Sequence, residues 1–254
     1  RDELKMMTDA FNALKPAYPD TDAALFLTAP SPGTIALFME NQYYPTDEAY
    51  LEALGAVLKQ EYELIAGQGI LLQVDCPDLA MGRHTRYSHL TDKEFLARIS
   101  LNIQTLNHAL SNIDPDQCRV HICWGNYPGT HHCDIELRTL FDPIAAIDAR
   151  YISLEASNHR HAHEWTLFEE LKFPDDKVLM PGVIDTGSNV VEHPDRVAEQ
   201  IANFANRLGP DRVIASTDCG FATTATATSV SGEVAWLKLA SLVAGAKRAS
   251  RRFN

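Results

Sequence analysis

"HICWGNYPGTHHCDIEL", residues 121–137, places three histidines, two cysteines and two carboxylates in seventeen positions. Its beginning belongs to "VHICWG" (120–125), a short β-rich run, in which His121 and Cys123 alternate along an extended backbone. Alternate residues of a strand point to one face, so the two side chains are neighbours. Two readings stay open: a chelating pair, or a histidine and a cysteine packed at a strand end. The loop that follows carries His131, His132, Cys133 and Asp134.

The same rhythm repeats along the chain. Short apolar runs occur at 24–29, 70–76, 120–125, 151–157, 178–184 and 213–219. Between them lie helical patterns at 46–67, 91–111, 135–148, 163–172 and 195–208, with 232–248 closing the series. Apolar residues recur there at three and four positions, as in Phe95, Ile99, Ile103, Leu106 and Leu110. Thr46 and Thr91 stand as helix caps before acidic first turns, and Pro194 as a first-turn proline. Strand, loop and helix in alternation predict an α/β fold with parallel strands and helical crossovers. With no polar or low-complexity linker, residues 1–254 are expected to form a single domain.

A doubly wound sheet and a (β/α)8 barrel both fit. Polar residues gather at the carboxyl ends of the runs: Asp75 and Cys76, His121 and Cys123, Glu155, Asp185, then Asp218 and Cys219. A barrel builds its site there from many strands. A doubly wound sheet concentrates it at a switch point and often adds a glycine-rich phosphate turn, and no G-x-G-x-x-G is found. The TIM barrel is the expectation, but six strands do not close an eight-stranded barrel. The chain begins on a helical pattern, "DELKMMTDAFNALK", so at roughly 30 residues per βαβ unit the first two βα units are expected to be absent from it.

Composition sets the chemical context. The 254 residues are 45% hydrophobic and 22% charged, with a formal charge of -12. An acidic chain with pI near 5.2 does not suit general nucleic-acid binding, which needs a basic face. The longest apolar runs fall far short of the roughly 20 residues of a membrane span. Five cysteines without repeated spacing fit a reduced protein, and a cytoplasmic location is expected.

Glu155 and Cys219 stand at other strand ends and have the chemistry of zinc ligands. Four suitable donors at three strand ends favour a metal over packing. "QVDCP" (73–77), "HIC" (121–123), "SLEASN" (153–158) and "STDCGF" (216–221), in this order, resemble the C-terminal catalytic barrel of cobalamin-independent methionine synthase. The likeness is stronger still to the short single-barrel members, which include epoxyalkane:coenzyme M transferase, and runs from about Pro30 to Arg252. It implies a Zn2+ site of His121, Cys123, Glu155 and Cys219. It also implies alkyl transfer, of a methyl or an epoxide-derived group, to a zinc-activated small-molecule thiol.

The resemblance matches Asp75 to a substrate-holding aspartate, but the acidic residue that follows in the synthase is Cys76 here. The synthase's histidine after strand seven is also missing from "IDTGSN" (184–189). Asp75, His132 and Asp134 are the catalytic candidates, the last two as loop groups able to move a proton. Asp75, Trp124, Asn126, Arg160 and Asp185 are the substrate-binding candidates, with Arg160 suited to an anionic group. His159, His161 and His163 read as loop and cap residues. A metal-free uroporphyrinogen decarboxylase-like enzyme and a non-catalytic zinc or thiol carrier are the alternatives. The partners expected are a thiol and an alkyl donor, with neither nucleic acid nor membrane, and self-association to a homo-oligomer is left open by an exposed sheet edge.

Overall fold

The strands form because β-rich apolar runs end at polar turns, and their pairing gives the fold its direction. The computed structural model describes residues 2–19, 22–127, 129–223 and 229–253. Five parallel strands, β1 (Phe26–Pro30), β2 (Leu71–Asp75), β3 (Cys118–Ile122), β4 (Tyr151–Leu154) and β5 (Val178–Pro181), lie in the order β1-β2-β3-β4-β5. A doubly wound sheet must reverse its strand order at the switch point. This sheet never does, so its winding is barrel-like rather than doubly wound.

Seven α-helices are described: α1 (Asp2–Leu14), α2 (Pro32–Phe38), α3 (Asp47–Ala66), α4 (Asp92–Leu110), α5 (Leu137–Ala145), α6 (Pro194–Leu208) and α7 (Gly232–Ser250). Thr46 accepts a hydrogen bond from Ala49 N–H at the start of α3, and Thr91 with Glu94 completes a reciprocal capping box on α4. Helices pack on neighbours in chain order, α3 on α4, α4 on α5 and α6 on α7.

The period of two along the strands divides the molecule. Leu72, Val74, Val120, Ile122, Ile152 and Leu179 are buried and join one apolar core with Tyr62, Phe95, Ile99 and Leu106 of the helices. Each such side chain contributes about 1.5–3 kcal/mol of burial. The alternate residues Gln73, Asp75, Arg119, His121 and Ser153 turn to the other face and line a cavity of about 280 Å³.

Residues 213–219 do not form the regular sixth strand expected. They run parallel beside β5 as isolated bridges, Leu179 to Val213 and Gly182 to Ser216. Ile214 N–H donates to Leu179 O and Val183 N–H to Ser216 O, both at 2.9 Å. Pro181, the last residue of β5, lies between Leu179 and Val183 and has no N–H to give, which interrupts the ladder. Among the described residues no ladder joins this segment to β1, so the sheet is an open arc rather than a closed eight-stranded barrel. The helix expected over 163–172 is a 3-10 segment, Glu164–Glu169. Its first residue is held by tertiary bonds, with Glu164 accepting from Leu137 N–H at 2.8 Å. Among the described residues no helix is long and apolar enough to cross a membrane.

Candidate functional site

The register fixes the first pair of polar residues, since Asp75 ends β2 directly beside His121 of β3. Two residues further, Cys123 leaves the strand toward the same side. The segment beside β5 brings Cys219 across, and one ligand atom from each of His121, Cys123 and Cys219 lies within 4.8 Å of the others. Cys219 Sγ stands 3.4 Å from His121 Nε2 and 3.5 Å from Glu155 Oε1. Three of the four expected ligands therefore converge, and the fourth touches the group.

Each of these side chains is aimed by a further contact. Ser153 Oγ lies 3.1 Å from His121 Nδ1, which leaves Nε2 toward the thiols. Glu155 accepts from Trp124 N–H at 2.9 Å through Oε1 and from Asn158 Nδ2 at 2.7 Å through Oε2. Asp218, one residue before Cys219, accepts from the N–H groups of Ala156, Ser157 and Asn158, each at 2.9 Å. The loops carrying Glu155 and Cys219 are thereby tied together.

The cluster gathers more potential negative charge than it can balance. A hydrogen bond from Cys219, with help from His121, holds the Cys123 thiol well below its ordinary range. The same contact, with burial, pushes the Cys219 thiol well above it. Burial first, then the Cys123 charge, pushes Glu155 well up. The three acidic groups are thus driven apart, Cys123 downward and Cys219 and Glu155 upward. A divalent cation would relieve this crowding, and thiolate, imidazole and carboxylate are donors such a cation accepts. The residues present fit a metal.

A pocket of about 260 Å³ opens over the cluster, lined by Glu155 and Cys219 with Asn126, Tyr127, Arg160 and Asp185 among others. Asn126 donates to Gly220 O at 2.7 Å and accepts from Thr186 Oγ1 at 3.2 Å. Asp185 is placed by α7: the fully buried Lys238 donates to Asp185 O at 2.9 Å and pairs with Glu192, which in turn accepts from Asp185 N–H. Asp75 stands on the cavity face of the sheet rather than in this pocket, its carboxyl raised chiefly by burial and bonded by Gln73 at 2.7 Å. Cys76, where the synthase pattern is acidic, is fully buried and its thiol is pushed well up by desolvation.

Two expectations are corrected. Trp124 has no exposed surface; its indole N–H donates to Ile135 O at 2.7 Å and its ring lies 4.1 Å from that of His161, so it supports the site from below instead of touching a ligand. His132 is exposed and bonded to Thr130 at 2.6 Å, whereas its neighbour His131 lines the pocket. His131 adopts a left-handed backbone, φ 51°, which reverses the side to which successive residues point.

Asp134 is likewise not free in the pocket. It is buried as the centre of an imidazole cluster, with Oδ2 2.9 Å from His131 Nδ1 and 3.1 Å from His161 Nε2, and Oδ1 3.1 Å from His84 Nδ1. Glu164 closes the other side of His161 at 2.8 Å. Burial opposes the charge on His161, but Asp134 and Glu164 prevail and raise it to about 9. His84 and Tyr127 were not singled out from the sequence, for they lie in "GRHTRY" and "GNYPG", where no spacing relates them.

The molecule is thus of the parallel α/β class, with imidazole and thiol groups at its strand ends. The family model "Cobalamin-independent synthase, Catalytic domain" matches residues 6–245, and the chain belongs to that family. It is 27% identical over 244 residues to a methionine synthase of Saccharolobus solfataricus, covering 95% of this chain and 63% of that relative. A 5-methyltetrahydropteroyltriglutamate–homocysteine methyltransferase of Chelativorans sp. is 27% identical over 177 residues, covering 69% of this chain and 21% of that protein. The chain thus spans under two thirds of these relatives' length. The B12-independent methionine synthase of Shewanella sp. W3-18-1, solved with selenomethionine, superposes with a TM-score of 0.70 at 20% identity, covering 95% of this chain and 67% of that one.

Proposed function

We propose that the protein transfers a methyl group from a methylated tetrahydropteroylglutamate to the thiol of homocysteine or a related small thiol. The observation that carries this reading is the convergence of His121, Cys123 and Cys219, with Glu155 alongside, beneath an open pocket. These four residues would hold a zinc ion. Zinc bound there supplies a lowered pKa to a substrate thiol, keeping its sulfur nucleophilic near neutral pH. Ser153 and Asn158 fix two of the ligands, as partners behind a ligand do in metal sites generally. Arg160 at the pocket wall suits a carboxylate, and Asp75 and Asp185 flank the cluster on its two sides. Similarity to methionine synthases supports methyl transfer over the epoxide chemistry also implied by the sequence. The arc of strands corresponds to part of a (β/α)8 barrel, with residues 1–254 as one barrel domain.

Elemental analysis tests the reading. About one zinc per chain is expected, lost from a Cys123→Ser, Cys219→Ser double variant that keeps its circular dichroism. Homocysteine methylation should vanish with the metal. Protein purified without chelator that carries no zinc and binds none on addition would refute it.

A further inference from the structure

Beside the metal-type cluster, Tyr127 faces the same pocket, with a second set of polar side chains behind it. Tyr127 lines its wall, and its hydroxyl lies 2.9 Å from His84 Nε2. Behind the ring, His84 Nδ1 is 3.1 Å from Asp134 Oδ1, with the His84 side chain 8% and the Asp134 side chain 1% exposed. The phenol ring is clasped from both sides: a Cβ on Gly125 would come within 2.5 Å of it, and one on Gly129 within 2.1 Å. Its ring also lies 4.6 Å from that of His131, tilted by 30°. The chain positions this hydroxyl.

We propose that Tyr127 is a catalytic proton carrier for the transfer reaction, with His84 and Asp134 as the positioning residues that store the proton. This rests on the thiol-alkylation reading above. A carboxylate only accepts hydrogen bonds, so Asp134 favours the His84 tautomer with its proton on Nδ1, leaving Nε2 to accept from the phenol. The phenol oxygen then keeps its lone pairs free to accept from a further donor. Desolvation holds His84 below its ordinary range and Tyr127 above its own, so both are neutral at rest. Neither His84 Nδ1 nor Asp134 Oδ1 has a well-aligned hydrogen bond, so this contact can tighten when the imidazole becomes charged.

The proton count closes. When the thiol enters, its S–H bond breaks and an O–H bond forms on Tyr127, while the phenol's own proton passes to His84 Nε2. The imidazolium produced lies against Asp134. In the transfer, the S–CH3 bond forms and the donor's N–CH3 bond breaks, its electron pair staying on nitrogen. That nitrogen takes a proton from Tyr127, and His84 returns its proton to the phenol. A thiol and an N-methyl amine become a thioether and a secondary amine, and nothing else is consumed.

The test uses zinc-loaded protein, homocysteine and two methyl donors, beside Tyr127→Phe and His84→Asn variants. Calorimetry in buffers of different ionisation enthalpy counts protons released as homocysteine binds. The wild type should release close to none, and both variants close to one. With 5-methyltetrahydropteroyltriglutamate, turnover should fall about 10²–10⁴-fold in Tyr127→Phe, at unchanged zinc content. With iodomethane, whose iodide leaves without a proton, the fall should shrink to under about tenfold. Equal proton release and equal turnover in wild type and Tyr127→Phe would overturn the relay alone. Failure of the wild type to bind homocysteine or to methylate it with either donor would sink the alkyl-transfer reading and the relay with it.

Discussion

Two polar clusters lie beyond β3 and β4, and they settle their charge in opposite ways. Around Asp134, carboxylates and imidazoles alternate, and Asp134 and Glu164 bracket His161 and favour its charged form. Around Cys123, two thiols and a carboxylate meet one imidazole; the Cys123 contact and then burial push the Cys219 thiol up, and burial pushes Glu155 up. The first cluster is closed and braces the loop. The second is short of positive charge and keeps ligand atoms close together. Charge imbalance, more than the mere number of histidines, separates a place for a metal from a polar brace.

The contrast breaks most sharply at Asp134. Asp134→Asn leaves the imidazolium of His161 with one partner fewer in a buried setting, and a loss of about 3–5 kcal/mol of stability is expected. Denaturant unfolding of metal-free protein measures it. Zinc uptake at saturating metal should persist, whereas removing the cysteines should do the reverse.

pH sharpens the same comparison. The folded pKa of His161, about 9, lies above the unfolded value near 6.5. Its stabilisation is therefore fully present below about pH 6.5 and lost as pH rises through about 9, a change of about 3 kcal/mol. Unfolding free energies at pH 6 and pH 10 should differ by that order in the wild type and by much less in Asp134→Asn. An equal slope in both proteins would remove the brace from the account.

A smaller effect is expected beside the thiols. Asn158→Ala frees one oxygen of Glu155 and should weaken zinc about 10–100-fold, read by competition with a chromophoric chelator. Smallest of all, His132→Ala should change stability by less than about 0.5 kcal/mol and leave zinc affinity alone, because its ring bonds only its neighbour Thr130. A large loss there would restore His132 to the site.

Much of this was legible before any coordinates. The caps at Thr46 and Thr91, the helical stripe from Phe95 to Leu110 and the runs feeding all five strands appear where local rules place them. His121, Cys123 and Cys219 were findable because a strand end and a thiol carry meaning on their own. Tyr127 and His84 were not, since the contact between residues 43 positions apart is made by loops that obey no period. The short α2 was also missed: Ser31 caps it while donating to the buried Asp78 at 2.7 Å, and Asp78 accepts as well from Asn102 of α4. Trp124 was misassigned because an aromatic beside a ligand reads alike whether it lines a pocket or fills a core.

The three amide bonds to Asp218 carry a consequence for the order of assembly. Glu155 is placed by a loop whose N–H groups wait for a carboxylate about 60 residues later in the chain. Such long closures come late in folding, after the local turns and helices have formed. A chain emerging from the ribosome would hold His121 and Cys123 ready as a pair long before Cys219 arrives. The metal-type cluster is thus a record of completed winding, complete only when the last turn of the sheet has docked.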